Sequence, residues 1–285
     1  MKVKAYAKVN LALDVVRKRE DGYHDLEMIM SPITLHDLII IEKIPEGIVL
    51  TANTYRVPTD ERNIMYKVAA LMIERYHIYG GLKMHVYKHI PSQAGLAGGS
   101  ADGAAVIRAI NKLYKLHLSL AQMADLGKEV GADIPFCIYN KLAVVKGIGE
   151  KLDFIKTHDF SAHLLLVKPK KGVSTKRCFE SLDIPHASHP DIEKMAHGIR
   201  TVNYEEVIAS LGNTLETPSL EMVKDIATIK QELLDFGFDG ALMSGSGSCV
   251  FGITKDESLF DEAIPYFRKK YPFVRRTEIL DEFHI

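Results

Sequence analysis

The chain has 285 residues, 47% hydrophobic and 26% charged, with 36 basic against 37 acidic side chains. That near-neutral balance excludes a global field able to recruit nucleic acid or an anionic membrane. Three cysteines, far apart and odd in number, offer neither a disulfide framework nor a C-x-x-C metal site, and no stretch nears the ~20 apolar residues of a membrane span. The expectation is a soluble cytoplasmic protein of one large domain or two ordinary ones.

Residues 3–15 alternate, with Val3, Ala5, Ala7 and Val9 on one face and Lys4, Tyr6, Lys8 and Asn10 on the other. Asp21-Gly22 signals a hairpin turn. Leu26–Ser31 and Leu38–Glu42 read as two further strands, so the first 55 residues suggest an antiparallel meander. Asp60 is a candidate cap for a helix through about Tyr76. Leu82, Met84, Val86 and Lys88 then alternate as a strand that leads into Pro91–Ala105, PSQAGLAGGSADGAA.

This Gly-rich stretch opens a helix, with Ser100 as candidate N-cap and Val106, Ile110 and Leu113 at helical spacing. A Gly-rich turn feeding a helix N-terminus aims unpaired N–H groups and the positive end of the dipole at one spot, which suits phosphate. It is no Walker A loop, since no lysine lies between Lys88 and Lys112. Nor is it G-x-G-x-x-G, since the loop reads Gly95-x-x-Gly98-Gly99. A tight loop whose glycines serve only packing is the bland alternative.

Ser119 caps the next helix, and Gly131–Pro135 connects to Phe136–Tyr139. Leu142–Lys146 and the Gly147–Gly149 turn make a strand pair. From Ser161 the order becomes strand, helices, strand, strand, helix, strand, with one long helix expected over Ser219–Phe236. That is the ferredoxin-like order, so the division falls near residue 158, giving domains 1–158 and 159–285. Met243–Gly252, MSGSGSCVFG, is a second Gly/Ser-rich turn. Its serines offer hydroxyl donors, and two such loops in separate domains suggest one phosphate-rich ligand held between them; a bulged hairpin is the alternative.

Three stretches together carry a resemblance: Lys8-Val9-Asn10-Leu11, the central GLAGGSADGAA and the late SGSGSCVFG. They resemble the three motifs of the GHMP kinase superfamily. Within it, AYAKVNLALDVVRKREDGYHDLEMIM and Gly131-Ala132-Asp133-Ile134-Pro135-Phe136 are similar to the members that phosphorylate the 2-hydroxyl of 4-diphosphocytidyl-2-C-methyl-D-erythritol. That reaction belongs to the non-mevalonate route to isopentenyl diphosphate. The matches run in order from residue 5 to 252.

The resemblance implies an α+β fold of two domains, the first like ribosomal protein S5 domain 2 and the second ferredoxin-like. It implies ATP as co-substrate with Mg²⁺, no resident metal, and Lys8 and Asp133 as catalytic residues. By the same resemblance Pro91, Ser92, Gln93, Ala94, Gly95, Leu96, Ala97, Gly98, Gly99, Ser100 and Ala101 bind the triphosphate. Asn63 lies near the adenine. Asn10 accompanies Lys8, Tyr23 and Phe179 sandwich the cytosine, and His24 bonds its edge. Stacking with edge recognition is a physical way to select a nucleobase.

Asp102, in the first turns of the helix, would repel phosphate unless it turns away or acts through Mg²⁺. The late loop departs from the family's usual Gly-Pro-Thr, reading Gly247-Ser248-Cys249. Rival readings are a homoserine or mevalonate-type kinase, a non-catalytic nucleotide-binding homologue and an RNA-binding module. Tyr23-His24 argues against the first, intact Lys8 and Asp133 against the second, and neutral charge against the third. Small-molecule partners, no nucleic acid or membrane, and a monomer or weak homodimer complete the expectation.

Overall fold

The computed structural model describes residues 1–157 and 160–280. The expected division near residue 158 lies outside the described residues. By contact, the chain forms two compact units that are not consecutive in sequence. One comprises Met1–Ala7, Leu35–Ser92 and Ala97–Asn140; the other comprises Lys8–Thr34, Gln93–Leu96 and Lys141 onward. Two long strands, β1 (Lys2–Lys18) and β2 (His24–Ile44), run through both.

In the first unit β2 pairs antiparallel with β4 (Gly81–Tyr87), which pairs parallel with β3 (Ile48–Ala52). The meander expectation is corrected here. β2 is one unbroken strand rather than two, and β3 does not turn back onto β2 but lies parallel beside β4. Ile39 and Ile41 of β2 and Leu82, Met84 and Val86 of β4 are buried in a core shared with the helices. These are α1 (Ile64–Arg75), α2 (Gly98–Leu113), α3 (Leu120–Lys128) and α4 (Ile134–Tyr139).

α2 is buried at every residue from Ala101 to Ile110. Its small residues make this feasible. A Cβ at Gly103 would come 2.7 Å from Ile64 Cγ2, so α1 and α2 approach where no side chain intervenes. Buried Arg108 on α2 donates to the carbonyls of Cys137 (2.6 Å) and Ile138 (3.4 Å). A cation on the C-terminal carbonyls of α4 opposes the negative end of its dipole and ties the helix to α2. Burial holds that guanidinium down at about 10, still charged at neutral pH.

In the second unit β2 pairs with β5 (Ala143–Gly147), and β5 with β6 (Lys151–Phe154). The far half of β1 pairs parallel with the two-residue β8 (Gly212–Asn213). A separate antiparallel sheet has the order β11 (Phe273–Glu278), β7 (His163–Lys168), β10 (Val250–Thr254), β9 (Gly240–Met243). This is the ferredoxin-like arrangement that the element order implies. The helices are α5 (Thr175–Glu180), α6 (Ile192–Arg200), α7 (Tyr204–Ala209), α8 (Glu216–Met222), α9 (Asp225–Asp235) and α10 (Leu259–Lys270). The single helix expected over Ser219–Phe236 is two, broken at Val223, which has left helical geometry at φ −140°. Phe251, Phe260 and Phe267 fill this core.

Candidate active site

The phosphate-loop candidate begins where β4 ends. Gln93, Gly95 and Ala97 have positive φ (51°, 73° and 54°), while Ala94 and Leu96 between them do not. Alternation of this kind is the backbone pattern by which anion-binding nests turn successive N–H groups toward one concave side. Ala97 ends the loop as the N-cap of α2 and supplies no side-chain hydrogen bond. The expected Ser100 cap is therefore wrong: the helix starts at Gly98, and Ser100 sits within its first turn. With no capping side chain on them, the amides at the start of α2 suit an anion.

Gln93–Leu96 is held on two sides by its own unit. Lys8 donates its backbone N–H to Leu96 O (3.2 Å) and its Nζ to Gly95 O (2.8 Å). From the other side Ser248 and Cys249 donate backbone N–H groups to Gln93 O and Ala94 O, and Ser244 Oγ donates to Gly95 O (3.0 Å). A Cβ on Gly95 would fall 1.8 Å from Ser244 O, so only glycine fits there. The serines of the late loop are thus engaged. Ser248 Oγ donates to Lys171 O, and Ser246 Oγ pairs with Thr175 Oγ1. This corrects the expectation that their hydroxyls are offered to a ligand: the late loop braces the first one.

Lys8 and Asn10, on the strand face opposite Ala7 and Val9, are buried as well, at 5% and 0% exposure. The far half of β1 is covered on both sides, so alternation there no longer separates inside from outside. Lys8 Nζ donates to Asn10 Oδ1 at 2.5 Å, and Asn10 N–H donates to Ser244 Oγ.

In the first unit Asp133 precedes α4, with Pro135 in that helix's first turn. It occupies the N-cap position, but its carboxylate makes no capping bond. A Cβ on Gly131 would lie 3.9 Å from Ser100 Oγ, so the first turn of α2 adjoins the segment leading to Asp133. Asn63, in contrast, is a full N-cap: Oδ1 accepts from Met65 N–H (2.9 Å) and Nδ2 donates to Pro58 O (2.6 Å). The expected cap Asp60 instead pairs with Arg62 outside the helix.

Tyr23, His24 and Phe179 line one cavity of about 540 Å³ in the second unit, with Lys18, Thr175 and Lys176 among its other walls. The His24 and Phe179 rings stack at 4.8 Å and 28°, while Tyr23 is 61% exposed. Burial, helped by the charge of Lys18, lowers the His24 pKa, so the imidazole is neutral at physiological pH with one donor and one acceptor nitrogen. A cavity of this size, with aromatic walls and a neutral imidazole, suits a planar polar ring.

Sequence reasoning missed one cluster. Buried Lys88 forms ion pairs with Asp102 (2.6 Å) and with Asp37. The signal was present: Lys88 continues the inward series Leu82, Met84, Val86, and Asp37 lies between inward Leu35 and Ile39. The register Leu38↔Tyr87 brings these two inward charges opposite each other. Asp102 therefore turns toward Lys88. Among the described residues no group of three His, Cys, Asp or Glu side chains could hold a metal ion.

Residues 63–141 match the GHMP kinases N terminal domain and residues 195–272 match GHMP kinases C terminal. A 4-diphosphocytidyl-2-C-methyl-D-erythritol kinase of Clostridium botulinum is 42% identical over 280 residues, covering 97% of this chain and 100% of that one. The protein of the same name from Acetivibrio thermocellus is 46% identical over 256 residues, 90% of each. The crystal structure of a 4-(cytidine 5'-diphospho)-2C-methyl-D-erythritol kinase superposes with a TM-score of 0.84 at 27% identity, covering 99% of this chain and 100% of that one. Matched in both halves and nearly end to end, the chain belongs to the GHMP kinase family and is a phosphotransferase of that family.

Proposed function

We propose that this kinase transfers the γ-phosphoryl group of ATP to the 2-hydroxyl of 4-diphosphocytidyl-2-C-methyl-D-erythritol, in the non-mevalonate route to isopentenyl diphosphate. The observation that carries the substrate is the cavity where Tyr23, His24 and Phe179 converge. Homoserine and mevalonate contain no base for it to hold. The relatives' names support the same choice over a homoserine or mevalonate-type activity.

In this reading Pro91–Ala101 cradles the triphosphate with backbone amides, and Asn63 sits near the adenine. The substrate's 2-hydroxyl oxygen attacks the γ-phosphorus as the bond to the β-phosphate oxygen breaks, releasing ADP. Asp133 takes the hydroxyl proton, a role its non-capping carboxylate leaves it able to perform. Lys8, oriented by Asn10, counters charge on the transferring group. Mg²⁺ enters with the nucleotide, which suits an ion that keeps most of its waters and binds through phosphates. Division into family domains near residue 158 is part of the proposal, and the two family matches lie on either side of it. So are a cytoplasmic location and a monomer or weak homodimer; among the described residues no helix is long and apolar enough to cross a membrane.

Phosphorus NMR of the protein with ATP, Mg²⁺ and the cytidylyl substrate tests this. A new phosphomonoester resonance growing with that of ADP is expected. Turnover of homoserine or mevalonate with none of the cytidylyl substrate would overturn it.

A further inference from the structure

Two carboxylates share one ammonium group at the root of the phosphate loop. Asp37 Oδ1 accepts the backbone N–H groups of His89 (2.5 Å) and Ile90 (2.8 Å), and Oδ2 accepts from Lys88 Nζ. Lys88 reaches on to Asp102 Oδ2, fourteen residues later, in the early turns of α2. These bonds grip the chain just before Pro91 and again just after α2 begins. The two ends also touch directly: a Cβ on Gly98 would lie 2.9 Å from Ile90 Cγ2 and 3.6 Å from Lys88 Nζ.

The arrangement is a poor device for stability alone. Three ionisable groups taken out of water cost desolvation, and well-packed apolar side chains of similar volume commonly serve stability as well or better. Asp102 Oδ1 is buried with no hydrogen-bond partner. A carboxylate beside the start of α2 would also oppose an incoming triphosphate, an effect that Lys88 offsets at short range.

We propose that Asp37, Lys88 and Asp102 are positioning residues, a clasp that joins the two ends of the loop and so aims the α2 amides at the triphosphate. This rests on the reading of Pro91–Ala101 as the ATP segment. Burial, with Asp37 adding to it, lifts the Asp102 carboxyl to about 8 against the pull of Lys88. A raised carboxyl lessens the negative charge that the clasp presents to the nucleotide.

The test uses the full chain, a non-hydrolysable ATP analogue with Mg²⁺, and the variants Lys88→Met, Lys88→Arg and Lys88→Met/Asp102→Met. The double variant removes the Asp102 carboxylate, which has no other partner, while Asp37 keeps the N–H groups of His89 and Ile90, so folding is less disturbed than in the single variant. Expected is a rise of about tenfold or more in KM for ATP in Lys88→Met and in the double variant. Their kcat and KM for the alcohol substrate stay within about threefold, and Lys88→Arg is partly rescued. Recovery of both thermal midpoint and KM for ATP in the double variant would overturn the clasp, leaving the cluster structural. Amide exchange separates the two readings. If the analogue fails to slow exchange across 91–101 in the wild type, the ATP assignment of the loop falls. If it slows exchange equally in wild type and double variant, the clasp alone falls.

Discussion

The four helices of the first unit divide into two kinds. α1 and α3 begin with side-chain caps: Asn63 accepts from Met65 N–H, and Ser119 with Gln122 forms a reciprocal capping box. α2 and α4 begin without them, at left-handed Ala97 and at Asp133. A cap satisfies orphan amides and is worth roughly 1 kcal/mol, so a helix that forgoes one gives up stability unless something else meets its N-terminus. The two uncapped starts are those carrying the phosphate-loop candidate and the candidate catalytic aspartate. In the proposed function the two open starts of this unit face the triphosphate and the reacting hydroxyl, whereas Asn63, at a sealed start, spends its side chain on its own helix and only borders the nucleotide.

Asp133→Asn should break that contrast most sharply. Loss of a positioned general base lowers kcat by ~10²–10⁴-fold. The thermal midpoint should hold steady, because the carboxylate caps nothing. Steady-state kinetics beside a melting curve checks both. Near-normal turnover removes Asp133 from the mechanism, and a large fall in midpoint makes it structural instead.

The second prediction concerns pH, through Asp102 in the open helix. Its carboxyl is held at about 8 when folded, above the ordinary 3.8 of the unfolded chain. Between about 4 and 8 the folded state binds more protons than the unfolded one, so this group's stabilisation is full below 4 and is lost as pH rises toward 8. Asp102→Asn should flatten that part of the profile, read as urea midpoints at pH 5 and pH 8. An unchanged difference between the two midpoints would show that the proton resides elsewhere.

Ser119→Ala, at a sealed start, is the mildest case. It should cost about 1 kcal/mol, or ~2–4 °C in midpoint, and leave KM for ATP unchanged. A KM effect of several-fold would remove the distinction between the two kinds of helix.

Much of this was legible from the chain because local rules and the fold agreed. The Asp21-Gly22 turn, the Ser119 cap, the strand pair around Gly147 and the late ferredoxin-like order depend on neighbours in sequence. Where long-range pairing decided, reading failed. The Leu26 and Leu38 strands fuse because β2 keeps partners along its length, β5 at one end and β4 at the other. Lys8 and Asn10 are buried because β1 is covered on both faces, which a period of two cannot signal. The late loop offered the chemistry of a ligand site, yet the Ser248 and Cys249 amides and the Ser244 and Ser248 hydroxyls are spent on Gln93, Ala94, Gly95 and Lys171.

The sequence by itself determined the family, the Gly-rich turn into α2 and the chemical types available for phosphoryl transfer. Those properties reside in short runs of residues, where backbone freedom and side-chain chemistry are local. Only the tertiary structure decided that Lys88 joins Asp37 and Asp102, that the second glycine loop supports the first, and that Phe179 shares a cavity with Tyr23 and His24. Each of those rests on strand register or on packing between distant segments, and there burial sets which charges must pair and which glycines admit no Cβ.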